Sequence, residues 1–302
     1  KVGILFGFLF CMSSLVSFMG TWEKLKDPVK TSLGDSFSQA GSVFKSRSFR
    51  IFVGIYLSGQ CGMDFVSGMA IYYVDEVLNG YSKGYLTMLM GVLLVSQLLG
   101  MLVFGPIMTK TSKKATILIG APIRIVCTLC LLAFSYEGAP IAPILALSAG
   151  VCIGNAATLT SIFAILADMA DVDELITSVS RPGIVSGMAT FARKISAGLS
   201  AWVIGILISF AGYDASIAKA GLRQSLHTQN GIAMIFIFLP VILVTLLLIF
   251  GYMFPITKKE FELVHKEIAR RKGEDDSVAT EEEKKVLKRV TGIEYEQLWG
   301  NK

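Results

Sequence analysis

Charge is what this chain has least of. Only 17% of its 302 residues are Asp, Glu, Lys or Arg, while 53% are apolar and mean hydropathy is +0.62. A soluble domain carries about a quarter charged residues. The shortage is also uneven, because 22 of the 51 charges lie after residue 254. The preceding stretch cannot be a water-soluble globule around one buried core, and it reads as an all-α polytopic membrane protein. Histidine is scarcer still, with only His227 and His265. Neither falls inside an apolar run, which disfavours a metal- or serine-dependent intramembrane hydrolase. There is no Gly-rich phosphate loop, no HExxH and no GxSxG, so no enzyme chemistry and no cofactor are expected. The five cysteines all sit in apolar stretches. Cys127 and Cys130 form a CxxC, but no second pair or nearby His completes a metal site, so they read as small helix fillers.

Seven apolar stretches are long enough to cross about 30 Å of hydrocarbon. They run over 2–22, 51–74, 84–108, 115–135, 142–167, 184–211 and 231–254. The first lacks a basic flank and a small-residue cleavage site and ends in Trp22, an interface anchor rather than a signal-peptide boundary. Lys1 abuts apolar sequence with no initiator Met, so the chain is expected to begin inside a longer protein.

Lys and Arg are biased to one side. Segment 23–50 holds Lys24, Lys26, Lys30, Lys45, Arg47 and Arg50, and 109–114 holds Lys110, Lys113 and Lys114. Stretch 255–274 adds Lys258, Lys259, Lys266, Arg270, Arg271 and Lys272. The other side offers Lys83, Lys219 and Arg223. The net charge of +5 thus reports orientation in an inner (plasma) membrane, with the C-terminus cytoplasmic and lipid, not nucleic acid, as the partner.

In the connection 23–50, Leu33, Phe37, Ala40 and Phe44 share one helical face, so part of it is expected to lie along the membrane surface between one bundle and the next. The tail 255–302 holds two amphipathic helices. One opens with the capping box Thr257/Glu260 and presents Phe261, Val264 and Ile268. The other opens with Thr280/Glu283 and presents Val286, Leu287 and Val290. The tail is either solvated or packed beneath the bundle.

An ionisable residue at membrane depth needs a partner or a purpose, since insertion costs roughly 2.5–3.5 kcal/mol. Asp64 lies mid-span in a small, polar neighbourhood, and Arg124 and Asn155 sit mid-span in the fourth and fifth stretches. Arg193 and Lys194 are adjacent in the sixth, so they point about 100° apart and cannot do the same job. Lys194 stacks on Thr190 and below Gly198, on a face of small residues, and is the preferred cavity-facing cation. The alternative is an ion pair, for instance with Asp64, that holds two helices in register. The many small residues of that span, Gly183, Gly187, Gly198 and Gly205 among them, predict close helix packing. Depth and burial therefore make Lys194, Asp64 and Asn155 candidate transport-site residues. Asp168, Asp171 and Glu174 recur every three residues at the end of the fifth span, with Asp173 beside them. Cations on that side, Arg181 and Lys113 among them, are expected to answer them in an inter-helix charge cluster; a solvated acidic loop is the competing reading.

The stretch from Ala164 to Tyr213 resembles the tenth-to-eleventh helix region of the glycoside–pentoside–hexuronide:cation symporters of the major facilitator superfamily. The matching features are the Asp168/Asp171/Glu174 triplet, a basic residue a few positions later, the Thr190-Phe191…Lys194 motif and the closing Gly212-Tyr213. One departure is that Ser180-Arg181-Pro182-Gly183 stands where the family usually has an Arg-Ser-Glu triplet. The resemblance implies a secondary transporter moving a sugar or glycoside with sodium or a proton by alternating access between two six-helix bundles. Residues 1–22 would then be the last helix of an N-terminal bundle absent from this sequence, 23–50 the inter-bundle linker, 51–254 the six-helix C-terminal bundle and 255–302 a cytoplasmic helical tail. It also places Lys194 near the cation site and Thr190 in a neighbouring cavity position, which completes the candidate transport site. Two other readings fit superficially: a seven-helix receptor, and a relative that carries lysolipid or another amphiphile.

Overall fold

The computed structural model describes residues 2–20, 39–80 and 83–300. Trp22, Leu33, Phe37 and the first three lysines of the expected linker lie outside the described residues. The chain divides into two units, 1–38 and 39–302. The first contains α1, Val2–Gly20, an uncharged helix.

The second unit is built from α2 (Arg47–Tyr72), α3 (Tyr85–Lys110), α4 (Lys113–Cys130), α5 (Ile141–Thr177), α6 (Pro182–Phe210) and α7 (Leu226–Met253), followed by α8 (Lys258–Lys272) and α9 (Glu281–Thr291). No strand occurs among the described residues. The helix starts follow local chemistry. Ser46, Ser112 and Ser225 cap α2, α4 and α7 by accepting from the N–H groups of Phe49, Ala115 and Thr228. Pro182 occupies the first turn of α6, where its missing N–H leaves nothing unsatisfied. That is the physical sense of the proline in the loop that departs from the family pattern.

Among the described residues, five helices, α3, α4 (continued to Phe134), α5, α6 and α7, are long and apolar enough to span a bilayer. α2 is as long as α3, but its polar turn around Gln60 and Asp64 leaves it less apolar. The largest difference from the sequence reading is α5, which runs to Thr177 rather than stopping at 167. Its 37 residues reach about 55 Å, well beyond about 30 Å of hydrocarbon. The acidic cluster is therefore a rigid helical projection, not a loop.

α5 is the central element, packed between α3 and α4, while α2 packs on α7. Small residues permit the closest approach. A Cβ added at Gly120 of α4 would lie 2.5 Å from the Ala157 Cβ and 2.7 Å from the Gly154 carbonyl of α5. The sequence reading assigned such packing to α6. There, Gly183, Gly187, Gly198 and Gly205 have nothing within 4 Å of a built Cβ, so within the described residues that face is open.

The tail is packed, not solvated. Val264, Leu287, Val290 and Leu298 are fully buried in one core with Phe49 and Phe52 of α2 and Met169, Val172 and Leu175 of α5. Each such side chain contributes about 1.5–3 kcal/mol over exposure. Ser48 donates to the Val290 carbonyl (2.6 Å), and the N–H groups of Trp299 and Gly300 donate to the Leu175 and Ile176 carbonyls at the end of α5 (2.9 and 3.0 Å). The tail thereby satisfies acceptors that the helix itself leaves open.

Candidate functional site

The buried face of α6 reads Val185, Ala189, Ser196 and Ser200, a helical stripe turned toward α2. Arg193 falls in register with this stripe. Its Nη1 and Nη2 donate to Oδ2 and Oδ1 of Asp64 on α2, both at 2.7 Å. The ion pair at mid-span is thus made by Arg193, not by Lys194. The planar guanidinium matches a carboxylate with two parallel hydrogen bonds, which an ammonium cannot do. Ser196, one turn on, contacts Cys61 of α2.

Lys194 lies on a different face. It is exposed, as are Thr190 and Gly198 one turn to either side. Among the described residues no hydrogen bond or ion pair reaches its ammonium. The arrangement is a bare cation and a hydroxyl one turn apart, on a helix whose rotation is fixed by the neighbouring bidentate pair. Asn155 is placed elsewhere. It is buried between α5 and α3 and donates to the Gln97 Oε1 (3.0 Å), an inter-helix clip not joined to Lys194. Of the four candidate residues, only Thr190 and Lys194 share a surface.

Arg124 of α4 is 1% exposed, and among the described residues neither Nη1 nor Nη2 has a hydrogen-bond partner. Its guanidinium lies against α2 at Gly62, where an added Cβ would sit 3.0 Å from Nη2. Thr158 and Ser161 of α5 have buried hydroxyls without partners as well. Unsatisfied polar groups are rare in native interiors, so the middle of this bundle is unusual.

The end of α5 is the opposite case. Lys113 donates to Asp168 (2.5 Å) and to the Ala164 carbonyl (3.2 Å). Arg181 holds Asp173 by two hydrogen bonds, Nε to Oδ2 (2.7 Å) and Nη2 to Oδ1 (2.8 Å), and a third goes to Ser42 (2.9 Å). Ser178, in the left-handed region at φ 65°, turns the chain so that Arg181 folds back onto the helix it has just left. Lys272 of α8 pairs with Glu174 (2.7 Å), and His265 of α8 faces Asp171 (3.5 Å). The hydrogen bond to Glu174 and its charge raise the Lys272 pKa. Every carboxylate has its own basic neighbour, and no group of acidic, His or Cys side chains suited to a metal occurs among the described residues.

Two of these four partners were missed by spacing alone. The three-residue rhythm picked Asp168, Asp171 and Glu174, whereas Arg181 chooses Asp173, off that rhythm. Lys272 and His265 come from the tail. Their signal was the apolar stripe of α8, which docks the helix and brings its charges along.

The chain matches the MFS/sugar transport protein family over residues 2–258. It is 28% identical over 211 residues to a glucuronide carrier protein homolog of Escherichia coli (strain K12), covering 68% of this chain and 44% of that protein. It is 33% identical over 125 residues to a putative sulfoquinovose importer of the same organism, covering 40% and 24%. An isoprimeverose transporter of Lactiplantibacillus pentosus is 25% identical over 223 residues, covering 73% and 43%. The chain therefore spans less than half the length of the curated relatives it matches. An all-helical bundle of apolar helices, a cation held bare at mid-span and a family match over most of the sequence agree: this chain is an integral membrane protein that belongs to the MFS/sugar transport protein family.

Proposed function

We propose that this chain forms the second helical bundle of a sugar or glycoside carrier coupled to sodium or protons, and that Lys194 and Thr190 face the solute path. The observation that carries the reading is the partnerless ammonium of Lys194 on an open helix face. In a water-lined crevice such a cation is solvated and available to a solute hydroxyl or to the charge balance of a coupling ion. The relatives named for transport of a glucuronide, sulfoquinovose or isoprimeverose support the solute class. Their greater length supports a companion bundle that covers the open glycine face of α6.

Alternating access requires that solute and cation together favour the switch while either alone does not. The Arg193–Asp64 pair acts as the positioning element that keeps α2 and α6 in one rotation. The charge cluster at the end of α5 ties α4, α5, α6 and the tail together. It is the element whose rearrangement would accompany opening at that end. The excess of Lys and Arg at that end supports a cytoplasmic placement. Counterflow of labelled sugars in vesicles holding the full-length protein tests the reading, with and without sodium and at two pH values. Lys194→Ala is expected to abolish the cation-dependent component while surface expression stays normal. Unaltered cation-dependent uptake in that variant removes Lys194 from the mechanism.

A further inference from the structure

Where α3 ends and α8 begins, the basic end of the bundle holds a cavity of about 250 Å³, lined by Met108, Ser112, Lys113, Asp168, Lys258 and Phe261 among others. Its walls are pinned together. Lys114 donates to the Tyr252 and Phe254 carbonyls at the end of α7 (2.7 and 2.9 Å), and Lys113 ties α4 to Asp168 of α5. The cavity is therefore built in advance.

Its chemistry is two-sided. Met108, Ile256 and Phe261 give it an apolar wall, and its rim is cationic. Lys113 is occupied by Asp168, but Lys258 is exposed and makes no hydrogen bond or ion pair among the described residues. Ser112 uses its oxygen to accept from the Ala115 N–H (3.0 Å), which leaves its proton to donate. The N-terminus of α4 (18 residues) opens at the lining, at Ser112, and adds partial positive charge, whereas that of α8, at Thr257, is capped by the Glu260 carboxylate. The spans α3 and α7 end beside it at Lys110 and Met253, which sets it at headgroup depth.

We propose that this cavity binds the phosphate group of an anionic phospholipid from the adjoining leaflet, with Lys258 and Ser112 on the phosphate and Met108, Ile256 and Phe261 against the apolar stem. An apolar wall suits a lipid better than free phosphate, and basic pockets beside spans are suited to anionic headgroups. Because Lys113 and Asp168 belong also to the charge cluster, the bound lipid braces that cluster from outside.

The test uses the full-length protein, delipidated and returned to phosphatidylcholine vesicles, phosphatidylcholine with phosphatidylglycerol, or phosphatidylcholine with inorganic phosphate. Melting temperature and co-purified lipid are measured. Phosphatidylglycerol is expected to raise the melting temperature saturably and to remain bound through purification. Lys258→Gln should weaken that affinity roughly five-fold per lost surface cation, while Lys259→Gln, the neighbouring lysine outside the cavity, leaves it unchanged. Both positions are exposed and unpaired, so neither variant endangers folding. Equal loss in both variants reduces the effect to general surface charge and overturns the site. A response to inorganic phosphate alone overturns the lipid assignment, and no response in any arm overturns the proposal.

Discussion

The mid-span parts of α2, α4 and α6, set against the end of α5, show what membrane depth does to charge. At the end, four carboxylates each meet a separate basic group: Lys113, His265, Arg181 and Lys272. At mid-depth the balance reverses. Asp64 serves Arg193, and Arg124 and Lys194 have no carboxylate among the described residues. Where water is close, charges are plentiful and pairing is cheap, so every carboxylate finds a structural partner. At mid-depth each charge is costly, and few occur.

Lys194→Ala should break the contrast most visibly. Coupled uptake is expected to fall by roughly two orders of magnitude, with no loss of melting temperature because the ammonium holds nothing together. At the other end, Asp173→Asn removes a bidentate partner from an arginine whose side chain is 12% exposed. A destabilisation of about 2–3 kcal/mol is expected in thermal melts, below the range for a fully buried pair because Arg181 retains Ser42 and some solvent. Between these lies the Arg193–Asp64 pair. Asp64→Ala should lower uptake roughly ten-fold, and the exchange Asp64→Arg with Arg193→Asp should recover most of it. Failure of the exchange to recover any uptake would show that Asp64 does more than orient α6.

Arg124→Met sharpens the comparison through its sign. Replacing a buried, unpartnered guanidinium by an apolar side chain of similar reach should raise stability by about 1 kcal/mol or more, seen as a higher melting temperature. A clear fall would show that the guanidinium is satisfied in the folded protein. The smallest effect belongs to the tail. Glu283 accepts from the Thr280 N–H and from Arg270, and these contacts lower its pKa from 4.5 to about 2. A depressed carboxylate pKa gives stability that is present above the ordinary value and lost as pH falls through the folded one. Fluorescence of Trp299, isolated by Trp22→Phe and Trp202→Phe, should report loosening of α9 between about pH 4.5 and 2. Glu283→Gln should lose that dependence.

The candidate site was legible to unequal degrees. Lys194 and Thr190 could be placed on one face because a four-residue step on a helix always stacks side chains. The partner of Asp64 could not, since Arg193 and Lys194 are adjacent and equally basic. Only the packing of α6 on α2 turns one of them inward. Asn155 looked like a cavity residue from its depth alone, yet depth is a coordinate along the helix, and rotation about the axis decided its contact with Gln97. The tail's apolar stripes and capping boxes forecast two helices, but amphipathicity says only that a helix wants a surface, not which one.

Hydrophobic run length and the sidedness of Lys and Arg determined, without any coordinates, that this is a helical membrane protein, because the backbone must satisfy its own hydrogen bonds in lipid. The Thr190-to-Lys194 motif and the acidic triplet were enough to point to its family. Helix ends, rotations and partners were decided by tertiary structure. α5 continues past the hydrocarbon because α8 and the C-terminal residues cover its end, and Asp173 rather than its neighbours holds Arg181 because the chain reverses at Ser178. These outcomes depend on contacts between segments far apart in sequence, and no local pattern contains them.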